Sequence, residues 1–489
     1  MSTQTVILIG VSAYMVAMLA VGFYASRKTH SVTEFIIAGR GMPIWLCSMT
    51  VIATWFGGST MVGGSGAAYD DGMLGVIEDP LGGALALFLI GFFFARLFRR
   101  LRIMTTADFM QQRYGTVAAI AITIANLFAN VLWVGSMLVA FGLILEQLTG
   151  VPLEYGIFIG AAVIFFYTAI GGMWAVAMTD FLQMVIIMVG VVILFAVVLY
   201  DSGGWAAITP HLAENTFRIL PLENGWEAWL NYLRAWTIIG VVDISAQTLM
   251  QRIASAKSER VAQNSFYLGG FGYLFFGMIP VLLGIIGSVT MPDLPSSESV
   301  VPAMAIEHLH PVGIALFVGA LLAAIMSSAD SALLACSSLL AKNILPMVKD
   351  DPSPKLALLV ARWAIPGFGA IAIVTAMKIQ NVYDLMVDSN ILGLAVIIVP
   401  FIVGAWWKQA NRTGALASMG AGLAAWLATL FYAPHLPADF IGLAASLVTM
   451  FVVTPLTQRF DPPRALQDSD GNPVEMTNRL GTLAPLGRD

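Results

Sequence analysis

The feature that most constrains this chain is its series of apolar stretches, each about one bilayer long and separated by short polar loops. A helix crossing a membrane needs roughly 20 apolar residues. Thirteen stretches qualify, at about 5–25, 43–68, 72–96, 118–149, 153–170, 177–200, 227–250, 263–288, 311–344, 356–378, 383–407, 413–432 and 436–456. The basic residues test that number independently of hydropathy. With the N-terminus outside, every Lys and Arg except Arg218, Arg234 and Lys378 falls inside, 21 of the 24. So large a bias follows the positive-inside rule, and adding or removing one span would scramble it. The expectation is an all-α polytopic membrane protein of about 13 transmembrane helices. It is read as multi-pass in the plasma (inner) membrane, with the N-terminus outside and the C-terminus cytoplasmic.

Composition agrees, with 58% hydrophobic and only 11% charged residues, far from a soluble domain. The lipid bilayer is therefore the expected surrounding, and no nucleic-acid partner is expected. The start Met1-Ser-Thr-Gln-Thr5 carries no basic run, so the first span reads as retained rather than cleaved. Cys47 and Cys336 both fall in spans, which leaves no disulfide framework. No His-Glu-x-x-His or Gly-x-Ser-x-Gly motif occurs, so an intramembrane enzyme is not expected.

Polar residues inside apolar spans are sparse, and each one carries information. The ninth span holds Ala323-Ala-Ile-Met-Ser-Ser-Ala-Asp-Ser331. At about 100° per residue, Ala324, Ser327, Ser328, Asp330 and Ser331 share an arc of roughly 160°. Close packing accounts for the serines. It does not account for Asp330, since an acid at bilayer depth costs at least ~2.5–3.5 kcal/mol and usually marks a pathway or site. In the second span, adjacent Gly57 and Gly58 suggest an interrupted helix. Irregular backbone survives at that depth only where it lines a cavity, and in transporters the freed carbonyls coordinate sodium.

Further acids punctuate the third, sixth, seventh and eleventh spans. Glu78 and Asp79 precede Pro80, Asp180 sits in the first turns of the sixth span, and Asp243 lies too deep in the seventh to snorkel. Arg234, nearer the span end, can reach outward. Asp388 falls a turn or so into the eleventh, and Trp133 and Gln247 are polar or amphipathic members of the fourth and seventh. The chain divides into an extra helix and loop at 1–42, a five-helix block at 43–200, an outside loop at 201–226, a second five-helix block at 227–410, two helices at 411–456, and a cytoplasmic tail at 457–489. An odd number of spans per block would make the two halves inverted in the membrane.

The runs Ala53-Thr-Trp-Phe-Gly-Gly58, Gly171-Gly-Met-Trp-Ala-Val-Ala-Met-Thr-Asp180 and Met326-Ser-Ser-Ala-Asp-Ser331 with downstream Ala341-Lys-Asn343 closely resemble the sodium/solute symporter family. Within it they are nearest to the high-affinity choline transporter branch. The resemblance spans roughly residues 5–455 and implies a leucine-transporter-like inverted repeat of two five-helix halves. It implies Na+ as the coupled ion, held by the carbonyls of Ile52, Trp55 and Ala324 and the hydroxyls of Ser327 and Ser328. A second sodium site, present in some members, would use Asp180, the Ser327 carbonyl, Asp330 and Ser331.

The pocket departs from the choline branch. Trp55 and Trp133 match aromatic positions of its cage, but Ala246, Met386 and Gly83 stand where further aromatic residues are expected. Acids lie near those positions instead. Substrate contacts are therefore expected at Trp55, Glu78, Asp79, Trp133, Asp243, Gln247 and Asp388. The expected function is sodium-coupled import of a small organic cation, an amine, diamine or polyamine, since carboxylates bond best to N–H donors. A choline-like quaternary ammonium, a neutral solute or a carboxylate are the alternatives. A membrane sensor is a remote one.

Overall fold

The computed structural model describes residues 3–378, 390, 393–468, 470–474, 478–479 and 482–483. Among the described residues, nine helices are each long and apolar enough to cross a membrane. A tenth candidate is the pair Ile44–Trp55 and Ser59–Leu74, bent by 58°. Three features keep helix length alone from reproducing the thirteen expected stretches. Leu153–Asp201 runs 49 residues, about 74 Å if straight and over twice the bilayer core, and turns at Gly172. The seventh stretch is divided into Trp226–Ile238, Val242–Ser245 and Gln247–Ser255. The eleventh is described from Gly393 to Trp406, and Asp388 lies outside the described residues.

Gly172 is required where it stands. Its backbone (φ 56°, ψ −146°) lies in a region open essentially to glycine alone, and an added Cβ would sit 2.5 Å from the Phe35 carbonyl oxygen.

The helix Pro311–Leu339 is the axis of the molecule. The most apolar window of its span is 83% buried, against 22% for the final helix Ala438–Thr457. It packs on Thr3–Ser26, Thr116–Thr149, Leu153–Asp201 and Pro354–Lys378. Its Ala, Ser and Gly side chains are short enough for neighbouring backbones to approach on several sides. The polar stripe read from the sequence is thus enclosed by protein rather than lipid.

Short helices between spans are tied by capping boxes at Ser31 with Glu34 and Thr105 with Asp108. The backbone amides of His30 and Ser31 bond the Glu34 carboxylate and hold it below its usual range. The loop containing Arg113, whose charge was counted above with the inside cations, also contributes internal staples. Arg113 is 2% exposed and donates to the carbonyls of Trp407 at 2.7 Å, Lys408 at 3.1 Å and Arg464. A guanidinium fork can serve several carbonyls at once. Arg234 pairs with Asp439 at 2.5 Å, joining the seventh stretch to the last helix rather than simply reaching outward.

Candidate functional site

The helix Ile44–Trp55 ends where Phe56 leaves helical geometry (φ −71°, ψ 74°) and two glycines follow. Gly57 seats this break against the central helix: a Cβ added there would lie 2.5 Å from Ser328 Oγ and 3.5 Å from the Ala324 carbonyl oxygen. Beside it, Ser327 Oγ donates to the Ala53 carbonyl at 3.0 Å. Ile52, Trp55, Ala324, Ser327 and Ser328, expected as sodium ligands, therefore come to one buried crossing of two helices. The Ala324 carbonyl accepts from Ser327 Oγ at 2.9 Å and Ser328 Oγ at 3.4 Å, and the Trp55 carbonyl accepts from the Gly57 amide at 2.7 Å. The crossing is therefore a cluster of neutral oxygens, carbonyl and hydroxyl.

Within one turn of Ser328 on the same helix lie Asp330 and Ser331, and Asp180 comes from the helix Leu153–Asp201, all three fully buried. Ser331 Oγ donates to the Ser327 carbonyl at 2.8 Å and lies 3.2 Å from Asp330 Oδ1, while Asp330 Oδ2 accepts from the Tyr167 hydroxyl at 2.5 Å. Asp180 Oδ2 accepts from Thr50 Oγ1. Sequence reasoning missed the group at the centre of these contacts. Arg252, counted there with the inside-loop cations, is fully buried, donates to Ser331 Oγ and lies 3.6 Å from Asp180. The guanidinium thus pairs with Asp180 and reaches Asp330 only through the Ser331 hydroxyl, and Asp180 Oδ1 has no hydrogen-bond partner.

A central cavity of about 100 Å³ opens beside the break. Trp55, Asp79, Trp133 and Asp243 line it, together with Thr54, Ser59, Asn130, Tyr273 and Asn390. Among the described residues its lining includes two acids and no Lys, Arg or His. A second cavity of about 610 Å³ adjoins the first, since Ser59 and Asp79 line both. Asp70, Asp71, Glu78 and Glu298 line only this larger one.

Two expected substrate contacts fall elsewhere. Glu78 faces the larger cavity, because Asp79 is extended (φ −146°, ψ 122°) and successive side chains of extended backbone diverge. Gln247 borders neither cavity. Its side chain is fully buried and consumed by bonds to the Thr106 amide at 2.8 Å and Ser338 Oγ at 3.0 Å, and its own amide donates to Asn126. Ala246 does line the cavity, as its alignment with an aromatic cage position implies. At Gly83 an added Cβ would lie 2.8 Å from Tyr273 and 3.1 Å from Trp55, so those two rings already fill the space. Tyr273 was not foreseen. Its hydroxyl donates to Asp79 Oδ1 and its ring meets Trp55 edge-on at 6.1 Å.

Residues 35–422 match the family model described as Sodium:solute symporter family. The human high affinity choline transporter 1 is 30% identical over 445 residues, covering 85% of this chain and 75% of that protein. The Escherichia coli (strain K12) sodium/pantothenate symporter is 29% identical over 482 residues, covering 91% and 96%. Among solved structures, a Na+-coupled sialic acid symporter in a substrate-bound outward-open state superposes with a TM-score of 0.81 at 20% identity, covering 92% of this chain and 97% of that one. The nucleobase-cation-symport-1 transporter Mhp1 in a closed conformation gives 0.60 at 14% identity, covering 89% and 96%. These likenesses establish the leucine-transporter-like fold.

Proposed function

The chain belongs to the sodium:solute symporter family, and on that premise we propose that it imports a small organic cation together with sodium by alternating access. It is a transporter of the membrane and not an enzyme, and sodium is its coupling ion. The observation that carries the cationic substrate is the charge of the central cavity, which has two acids and no base among its described lining residues. A carboxylate substrate would meet like charge there with no counter-ion, at a cost that burial magnifies. Trp55 and Trp133 present aromatic faces that attract a cation.

In this reading sodium binds among Ile52, Trp55, Ala324, Ser327 and Ser328, and draws the broken second span onto the central helix. The outward-facing site then accepts substrate. A second sodium beside Asp180 and Asp330 is supported by the charge left over from Arg252 and by the unpartnered Asp180 Oδ1. The N-terminus lies outside and the C-terminus in the cytoplasm, so each sodium entering gains about 2.3 kcal/mol per 100 mV of membrane potential.

A choline-like quaternary ammonium is the second reading, favoured by the two tryptophans. The test is thermal stabilisation of the purified protein by ammonium and carboxylate compounds, with and without sodium, followed by gradient-driven uptake in proteoliposomes. Ammonium compounds should stabilise and enter only with sodium. Uptake of carboxylates with no response to any ammonium compound would overturn the cationic reading.

A further inference from the structure

Asp79 and Asp243 border the same central cavity in different company. Asp79 Oδ2 accepts from Thr60 Oγ1 at 2.9 Å, its Oδ1 accepts from the Tyr273 hydroxyl, and Ser59 supplies a further hydroxyl. Thr60 and Tyr273 also bond each other at 2.7 Å, so one network joins the second, third and eighth spans around this carboxylate. Hydroxyl donors stabilise an anion without any cation. The Asp243 carboxylate, by contrast, accepts no hydrogen bond from the protein among the described residues. Asn130 lines the same cavity, and its Nδ2 is engaged with the Asn126 carbonyl at 2.6 Å.

Size adds a second restriction. At about 100 Å³ the cavity is well below the ~300–1,000 Å³ of sites for drug-sized ligands. Asp79 has a further duty, since with Ser59 it forms part of the wall shared with the larger cavity.

We propose, resting on the cation reading above, that of the two acids lining the cavity among the described residues Asp243 is the counter-ion for a monocationic amine bearing N–H groups, and that Asp79 is a positioning residue holding the partition between the two cavities. The ammonium donates to Asp243 and Asn130 and lies against Trp55 and Trp133. A quaternary ammonium would leave the Asp243 oxygens without donors. A diamine would need Asp79 released from its hydroxyls.

The test uses the full chain in lipid nanodiscs with sodium present, titrated calorimetrically with propylammonium, tetramethylammonium and the diammonium putrescine. Propylammonium should bind tightest, with the other two weaker by about tenfold or more. Asp243→Asn should weaken propylammonium about 10- to 100-fold while sodium still stabilises the protein thermally, which reports an intact fold. Asp243→Ser repeats the measurement should the asparagine variant not fold. Asp79→Asn should weaken propylammonium less than Asp243→Asn does but lower the maximal rate of sodium-driven uptake, separating rate from KM. Equal loss of affinity in the Asp79 and Asp243 variants, or putrescine binding tighter than propylammonium, overturns the division of roles and leaves the cation reading standing. Binding of butyrate with none of the three ammonium probes overturns both.

Discussion

The guanidinium of Arg252 lies 3.6 Å from the Asp180 carboxylate, with both side chains completely buried. Removing one partner of such a pair strands a charge and costs about 3–5 kcal/mol, whereas removing both costs much less. Arg252→Met should therefore lower the thermal unfolding temperature sharply, and Asp180→Asn in the same chain should recover a large part of the loss. A double-mutant cycle read by unfolding in detergent measures the coupling. Additive losses would show that the pair does not act as one unit.

Gly57 has room for no side chain, because Ser328 Oγ occupies the position 2.5 Å from where a Cβ would be. Gly57→Ala should push the second span off the central helix and weaken sodium binding at least as much as Ser328→Ala does. The expected destabilisation is about 1–3 kcal/mol, typical of overpacking. Sodium titration by intrinsic tryptophan fluorescence checks it, and an unchanged sodium affinity in both variants would remove the crossing from the sodium site.

Gln247→Leu should act on stability rather than recognition. It takes the side-chain acceptor from the Thr106 amide and the side-chain donor from the Ser338 hydroxyl, at about 1–3 kcal/mol for a buried unsatisfied group. Substrate affinity per folded molecule should stay close to that of the parent. A selective rise in KM with unchanged thermal stability would return Gln247 to the substrate site.

Glu298, in the loop over the larger cavity, has its carboxyl raised above the ordinary range by partial burial. A raised acid binds its proton more tightly folded than unfolded, so its contribution favours the fold at low pH and is lost as pH rises above about 4. Glu298→Gln should therefore gain thermal stability relative to the parent at neutral pH and show no gain in acid. Unfolding temperatures across that range decide it.

The sequence reading reached furthest where polar atoms are rare. A carboxylate and three hydroxyls on one face of an apolar helix have few explanations, and Asp330, Ser327, Ser328 and Ser331 are indeed enclosed at the helix crossings. The Gly57-Gly58 pair likewise marks the break in the second span. Charge near a loop was less informative. Arg252 stands close enough to the inner boundary to pass as a surface cation, and nothing local in its neighbours tells of the acids that surround it from two other helices. Gln247 and Asp243 are a single turn apart, yet extended backbone at Ala246 (φ −67°, ψ 129°) sends one into structural bonds and leaves the other beside the cavity. Tyr273 gave no signal among the phenylalanines of its span, because the direction of a phenol hydroxyl is set by the packing of the whole helix.

The Thr60 hydroxyl carries one proton and faces three acceptors: the Trp55 carbonyl at 3.3 Å, Asp79 Oδ2 at 2.9 Å and the Tyr273 oxygen at 2.7 Å. One proton cannot serve all three. An ion that engages the Trp55 carbonyl takes an acceptor out of that competition and leaves the proton to the carboxylate bordering the cavity. By linkage, whatever disturbs that carboxylate alters the ion's hold on Trp55 by the same free energy. On the sodium and substrate sites proposed above, two occupants that never touch would be coupled through a single shared hydrogen atom.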